Sequence, residues 1–224
     1  MGPLLVAVLP LALGAAVSPT LLALQLLVLS GSTRRLARAW SLTLGAALVL
    51  GAYSILCATA LQRVRPHHTG HRSATDAAVL LASGVLLGAL AARSLVRRPT
   101  VGERHTSRIG DRLASAPTPW FVGVGAIGML VNFSTLLLVL PAIHEITRST
   151  ATTSAQIVAF VLLYVIVLLP VLAPVLLVTF LGAGADRVLD ATHAWVERNA
   201  RTLGTVIETV FAAYLITKGV RAIP

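Results

Sequence analysis

The chain has 224 residues, 56% of them hydrophobic and only 12% charged, with a mean hydropathy of +0.86. That is more apolar surface than a water-soluble domain of this length buries, so the sequence describes a membrane protein. The formal net charge of +10 does not point to nucleic acid, because the arginines fall in short stretches between apolar runs, where they act as topology signals.

A helix needs about 20 residues to cross the hydrocarbon, and six apolar stretches are long enough. The first runs near 3–29 and contains Ser18-Pro19-Thr20 at its middle. It lacks the basic n-region of a signal peptide and stays apolar past any A-x-A-like site, so a retained helix is expected. A proline inside a helix deletes a hydrogen bond and clashes one turn back. In lipid that damage must be covered by neighbouring protein or by a water-filled cavity. Arg34, Arg35 and Arg38 separate this span from a second near 40–61, which carries Cys57 and Tyr53. The lone cysteine leaves no internal disulfide and reads as a small packing residue.

The next loop holds His67, His68 and His71 beside Arg63, Arg65 and Arg72. No carboxylate or thiol is close in sequence and the arginines repel cations, so no metal is expected there. The third span, near 75–95, begins with Asp76, a charge suited to a helix N-terminus. A basic stretch, 96–118, leads to the fourth span near 119–143, which contains Gly123, Gly125, Gly128, Asn132, Ser134 and Thr135. The fifth runs near 155–181. Between 185 and 202, Val188, Leu189, Trp195 and Val196 recur at helical spacing opposite charged residues, the pattern of an interfacial helix with a tryptophan anchor. The sixth span, near 202–222, holds Glu208, the only acidic residue well inside a span.

With the amino terminus outside, twelve of the eighteen basic residues lie in cytoplasmic loops. That distribution favours a multi-pass protein of the plasma membrane with both termini outside. Two parts of the chain also resemble each other. Setting Gly14-AAVSPTLL against Gly128-MLVNFSTLL places Ser18 near Asn132, and at 1.5 Å per residue both fall near the middle of their spans. The third and sixth spans match at a constant offset, bringing Val85 onto Val210 and Leu90 onto Leu215. Three spans per half is an odd number, so the halves must be inverted. The expected fold is therefore all-α: a polytopic membrane protein with six transmembrane helices as two inverted three-helix repeats. They form a single transmembrane domain over 1–224, with repeat one about 1–95, a basic cytoplasmic linker 96–118 and repeat two about 119–224.

Polar residues on the two interrupted spans mark the candidate substrate pathway: Ser18, Pro19, Thr20 and Gln25 on the first, Asn132, Ser134 and Thr135 on the fourth. Two uses are open to them, lining a route for a polar group or bonding helix to helix. Ionisable groups inside a membrane are expensive, so Glu208 is a candidate for proton coupling, with pairing to Arg201 the structural alternative. No H-E-x-x-H, G-x-S-x-G or phosphate-binding loop occurs, so an enzyme is not expected; no cofactor and no metal ligand set is implied.

The opening G-x-x-x-S-P-T-L-L-A-L, the Asn-Phe-Ser-Thr-Leu of the second half, the six spans and the basic central stretch resemble the sulfolipid- and glycopeptidolipid-addressing proteins of actinobacteria, relatives of the lysine exporter superfamily. The resemblance implies an inner-membrane protein that assists export of complex glycolipids beside a larger lipid transporter. The superfamily also contains thiol electron carriers with cysteines on the first and fourth spans, which this chain lacks. Three readings follow: outward movement of an amphiphilic lipid, export of a small amino-acid-type solute, or a non-transporting scaffold of a lipid-export complex. The partners expected are membrane lipids and an amphiphilic or small-molecule substrate, without nucleic acid, and an oligomer is compatible with each reading.

Overall fold

The computed structural model describes residues 2–31, 34–63, 74–96 and 116–221. His67, His68 and His71 and most of the basic linker, 97–115, lie outside the described residues. Within them all regular structure is helical. The helices are α1 (Gly2–Ala16), α2 (Pro19–Leu29), α3 (Arg35–Arg63), α4 (Ala74–Val96), α5 (Trp120–Val131), α6 (Phe133–Arg148), α7 (Thr153–Leu181) and α8 (Asp186–Val220), with a 3-10 turn at Gly182–Ala185.

Four of these helices are each long and apolar enough to cross a membrane, and two bent pairs raise the number to six if each pair counts as one span. The pairs are α1 with α2, bent by 52°, and α5 with α6, bent by 71°. The first and fourth apolar stretches are thus each bent at a break instead of forming one continuous helix. The breaks fall at Val17-Ser18 and at Asn132, where the polar steps of the sequence lie. The last helix departs from expectation differently. Residues 185–202 were expected to lie in the interface as a separate helix, yet α8 runs unbroken for 35 residues, about 52 Å at 1.5 Å per residue. No glycine or proline occurs between Asp186 and Leu203, so nothing interrupts its hydrogen-bond ladder before the apolar span begins.

Burial follows one stripe on each helix. On α7, Ala155, Ala159, Leu163, Val167, Val171, Val175 and Val178 are buried at intervals of three or four, while Ile157, Val161, Val165, Leu169 and Phe180 are exposed on other faces. A helix apolar all round is what a lipid-facing span requires. Pro170 and Pro174 sit within this helix, Pro10 within α1 and Pro141 within α6.

Two seams bring backbones close together. Helices α3 and α5 pack at Gly45 and Gly125: a Cβ on Gly125 would overlap the carbonyl oxygen of Leu42, and one on Gly45 that of Val122. Helices α4 and α8 pack in the same antiparallel sense, with Gly84 against Ile216 and Gly219 against Leu81. Small residues let membrane helices approach until dispersion forces hold them, since lipid offers no hydrophobic drive for helix association. At one end of the α3–α5 seam the Arg38 guanidinium donates to the Ala116 carbonyl at 3.0 Å and lies 5.2 Å from the centre of the Phe121 ring. Tyr53 and Tyr164 satisfy their hydroxyls on backbone carbonyls, Leu136 at 3.0 Å and Ala47 at 2.5 Å. Cys57 is a buried free thiol.

The seam geometry makes a paired prediction. Gly125→Ala must push α3 away from α5 and should cost about 1–3 kcal/mol, as overpacking does. Gly123→Ala, two residues away with open space at its Cβ position, should be neutral or slightly stabilising because alanine favours helix. Thermal unfolding of the two variants in detergent, followed by intrinsic fluorescence, checks the order.

Candidate functional site

Pro19 explains the local geometry of the first break. It does not sit in a helix interior: Ser18 is extended (φ −120°, ψ 91°) and caps α2, its hydroxyl accepting from the Leu21 amide at 3.3 Å, and Pro19 takes the first helical position. There a missing N–H costs nothing to the helix that follows. It does leave a defect in the helix before, because the carbonyl of Ala15, four residues back, has no amide to accept from. The Thr135 hydroxyl supplies that bond from α6 at 3.0 Å.

The second break supplies the rest. Asn132 stands between α5 and α6 (φ −80°, ψ 66°) and directs its amide nitrogen to two oxygens, Ser18 Oγ at 2.6 Å and Thr135 Oγ1 at 2.8 Å. Its amide oxygen accepts from the Ser134 hydroxyl at 3.3 Å. Ser18, Asn132 and Thr135 are all buried. The two breaks therefore touch each other directly, with the open space beside them rather than between them.

That space is a cavity of about 300 Å³. Pro19, Thr20, Asn132, Ser134 and Glu208 line it, along with Gly14, Val17 and Leu138 and the small residues Ala200 and Gly204 of α8. Val17 and Pro19 also line a second chamber of about 540 Å³, which is almost wholly apolar. Its walls are Leu22 and Leu26 of α2, Leu169, Pro170 and Pro174 of α7, and Val188, Leu189 and Trp195 of α8. The tryptophan expected as an interfacial anchor is half exposed and faces this chamber.

Toward the carboxyl end of α8, one turn beyond Glu208, the Phe211 ring packs onto Gly14, where a Cβ would overlap it. Tyr214 meets Phe211 edge-on at 6.4 Å, and Lys218 lies 5.9 Å from the Tyr214 ring centre. Lys218 Nζ donates to Glu145 Oε1 at 2.7 Å, tying α8 to α6. Of this group only the Phe211 ring is packed directly on a residue of the cavity wall, Gly14.

Of the residues singled out from sequence, Pro19, Thr20, Asn132, Ser134 and Glu208 come together in one cavity, and Ser18 and Thr135 lie immediately behind it in the hydrogen-bond cluster. Gln25 does not join them. It is fully buried and its Nε2 donates to the Ala39 carbonyl at 3.3 Å, tying α2 to α3, while its Oε1 has no partner among the described residues. Glu208 makes no ion pair or hydrogen bond with a described side chain, and the side chain of Arg201 lies outside the described set. The sequence reading missed the Phe211–Gly14 contact, the apolar chamber and the Lys218–Glu145 pair. Only the last left a signal, since the expected topology puts both charges at the same membrane face. No group of three or more His, Cys, Asp or Glu stands together among the described residues to hold a metal.

One family model, described as Sap, sulfolipid-1-addressing protein, matches residues 8–221 of the chain. No curated protein and no solved structure matches it.

The cluster around the Ala15 carbonyl has a testable strength. Thr135→Val keeps the shape of the side chain but leaves that carbonyl and one Asn132 N–H unsatisfied, which should cost about 1–3 kcal/mol. Thr135→Ser, which restores the hydroxyl, should recover most of the loss. Thermal midpoints of both variants against the parent protein decide it.

Proposed function

The chain belongs to the sulfolipid-1-addressing protein family, and on that premise we propose that it moves an amphiphilic lipid, of the glycolipid class, outward across the plasma membrane. Family and apolar helices together fit a membrane protein involved in lipid export. The single observation that carries the mechanism is the joining of two unlike chambers at Val17 and Pro19. One is polar and of head-group size, the other apolar and open enough for acyl chains. An amphiphile needs both at once, with its head shielded from hydrocarbon and its tails kept out of water.

Alternating access is supported by the helix packing. Exchanging α1 with α5, α2 with α6, α3 with α7 and α4 with α8 converts the α2–α8 contact into α6–α4, α3–α6 into α7–α2, and α1–α7 into α5–α3, all of which occur. This is the pattern expected of two inverted three-helix repeats, with the site at their interface near the midplane, and it suits a place in the lysine exporter superfamily. In this reading the Lys218 end of α8 faces outward, the contacts of Phe211, Tyr214 and the Lys218–Glu145 pair close the outer side, and lipid enters from the cytoplasmic leaflet past Trp195. Export in this reading requires those outer contacts to part while the glycine seams move as rigid bodies.

A small-solute exporter would need the polar cavity alone, and Glu208 in its wall favours proton coupling in either case. The apolar chamber is what separates the two readings. In liposomes containing the purified protein, transfer of a fluorescent-tailed glycolipid between leaflets should fall about tenfold when Ala173→Trp, on the α7 wall of that chamber, fills it. Amino-acid uptake that survives the same substitution, without lipid movement in the parent protein, supports the solute exporter. No movement of either, with a partner that co-purifies only when 96–118 is intact, supports a scaffold. Glu208→Gln should remove any pH dependence of transfer; unchanged dependence excludes its coupling role.

A further inference from the structure

Helices α7 and α8 are consecutive in the chain, yet they meet mainly through the 3-10 turn Gly182–Ala185 that joins them, while α2 packs against both. Gly182 sets the vertex: at φ 56° and ψ −129° it takes a conformation that side chains disfavour, and α7 stops there. The two helices splay from this turn, and the apolar chamber occupies the fork with α2 at its back. It runs beside α8 from Val188 to Leu203, about 22 Å at 1.5 Å per residue. One leaflet of the hydrocarbon is about 15 Å deep, so the fork is long enough for a whole acyl chain.

Its section is narrow. Spread over that length, about 540 Å³ corresponds to about 25 Å². A polymethylene chain fits such a section, because carbon atoms in contact lie about 3.5–4.0 Å apart; two chains abreast do not. A helix, about 10 Å across with its side chains, is far too wide, which excludes a span of a partner or of a second copy. The wall asks for no polar occupant either. The Thr192 hydroxyl is spent on the Val188 carbonyl at 2.7 Å, and Ser18 Oγ accepts from the Leu21 amide and from Asn132.

We infer that the fork between α7 and α8 is a single-chain acyl site. One acyl chain of the amphiphile lies in it against Trp195, the head group occupies the polar cavity across Val17 and Pro19, and any further chains stay in the bilayer. The inference rests on the lipid-export reading and adds to it how many chains the protein holds. Affinity then follows the fit of one chain and is indifferent to the number of others, since a chain left outside keeps the hydrocarbon surroundings it already had.

Trp195 lines the chamber, whereas Trp40 and Trp120, also substantially exposed, do not. The test uses the full-length protein in an uncharged detergent, with Trp40→Phe and Trp120→Phe leaving Trp195 as the lone reporter, and with Trp120→Phe and Trp195→Phe leaving Trp40 as the control. The probe is a monogalactosyl diacylglycerol brominated on one chain, since bromine quenches an indole that it touches. Trp195 emission should fall to a plateau at one lipid per protein, while Trp40 emission falls only in proportion to the lipid in the micelle. Unlabelled monoacyl and diacyl galactolipids should reverse the plateau at concentrations within about threefold of each other. Equal, unsaturated quenching of both tryptophans overturns the chain site, and so does a diacyl competitor more than about tenfold stronger than the monoacyl one. The competition can also be read in the parent protein with a fluorescent-tailed galactolipid, so it remains decisive should the tryptophan substitutions disturb folding. Glycolipid transfer between liposome leaflets that persists alongside either adverse result leaves lipid export standing. Absence of both transfer and saturable binding overturns that reading and this inference with it.

Discussion

The fold hangs on one constraint: a backbone broken within an apolar stretch must have its freed polar groups satisfied by protein. Two breaks, at Ser18 and Asn132, meet this demand by serving each other. Thr135 replaces the amide that Pro19 lacks, and Asn132 holds both Thr135 and Ser18 in place. An unsatisfied carbonyl in hydrocarbon costs several kcal/mol. Each bent helix pair therefore depends on the other for these hydrogen bonds, and the bends of 52° and 71° are tertiary features rather than local ones.

The same constraint creates the cavity. Helices that turn away from each other just beyond a point of contact cannot fill the wedge between them, and the wedge here is bounded by the polar residues that made the contact. Elsewhere glycine does the opposite. At Gly45, Gly125, Gly84 and Gly219 it removes the side chain that would hold helices apart, so the α3–α5 and α4–α8 seams are tight. Gly14 uses the same absence to seat the Phe211 ring.

The polar and apolar chambers share a wall of only a few atoms because Pro19 faces both. α8 supplies one side of each: its amino-terminal third gives Val188, Leu189 and Trp195, and its middle gives Gly204 and Glu208. An unbroken helix is the simplest way to hold a fixed distance between a greasy surface and a carboxylate. The separate interfacial helix expected from the periodicity of 185–202 would have uncoupled them.

Hydropathy and the spacing of charges are properties of contiguous residues, so the sequence alone was enough to determine membrane embedding, the number and place of the apolar stretches and their helical character. Depth is also local, being a count of residues at 1.5 Å each, which is why Ser18 and Asn132 could be placed at matching levels. Which side of a helix a residue occupies relative to its neighbours is not local. Gln25 shares a span with Ser18 yet turns to α3 and bonds Ala39. The donor for Ala15 comes from a residue 120 positions away. Only the packed structure decided that Pro19 starts a helix instead of interrupting one, that an apolar chamber adjoins the polar one, and that Lys218 finds Glu145. Each depends on partners brought together from distant segments, and a linear pattern does not carry the rotation of one helix against another.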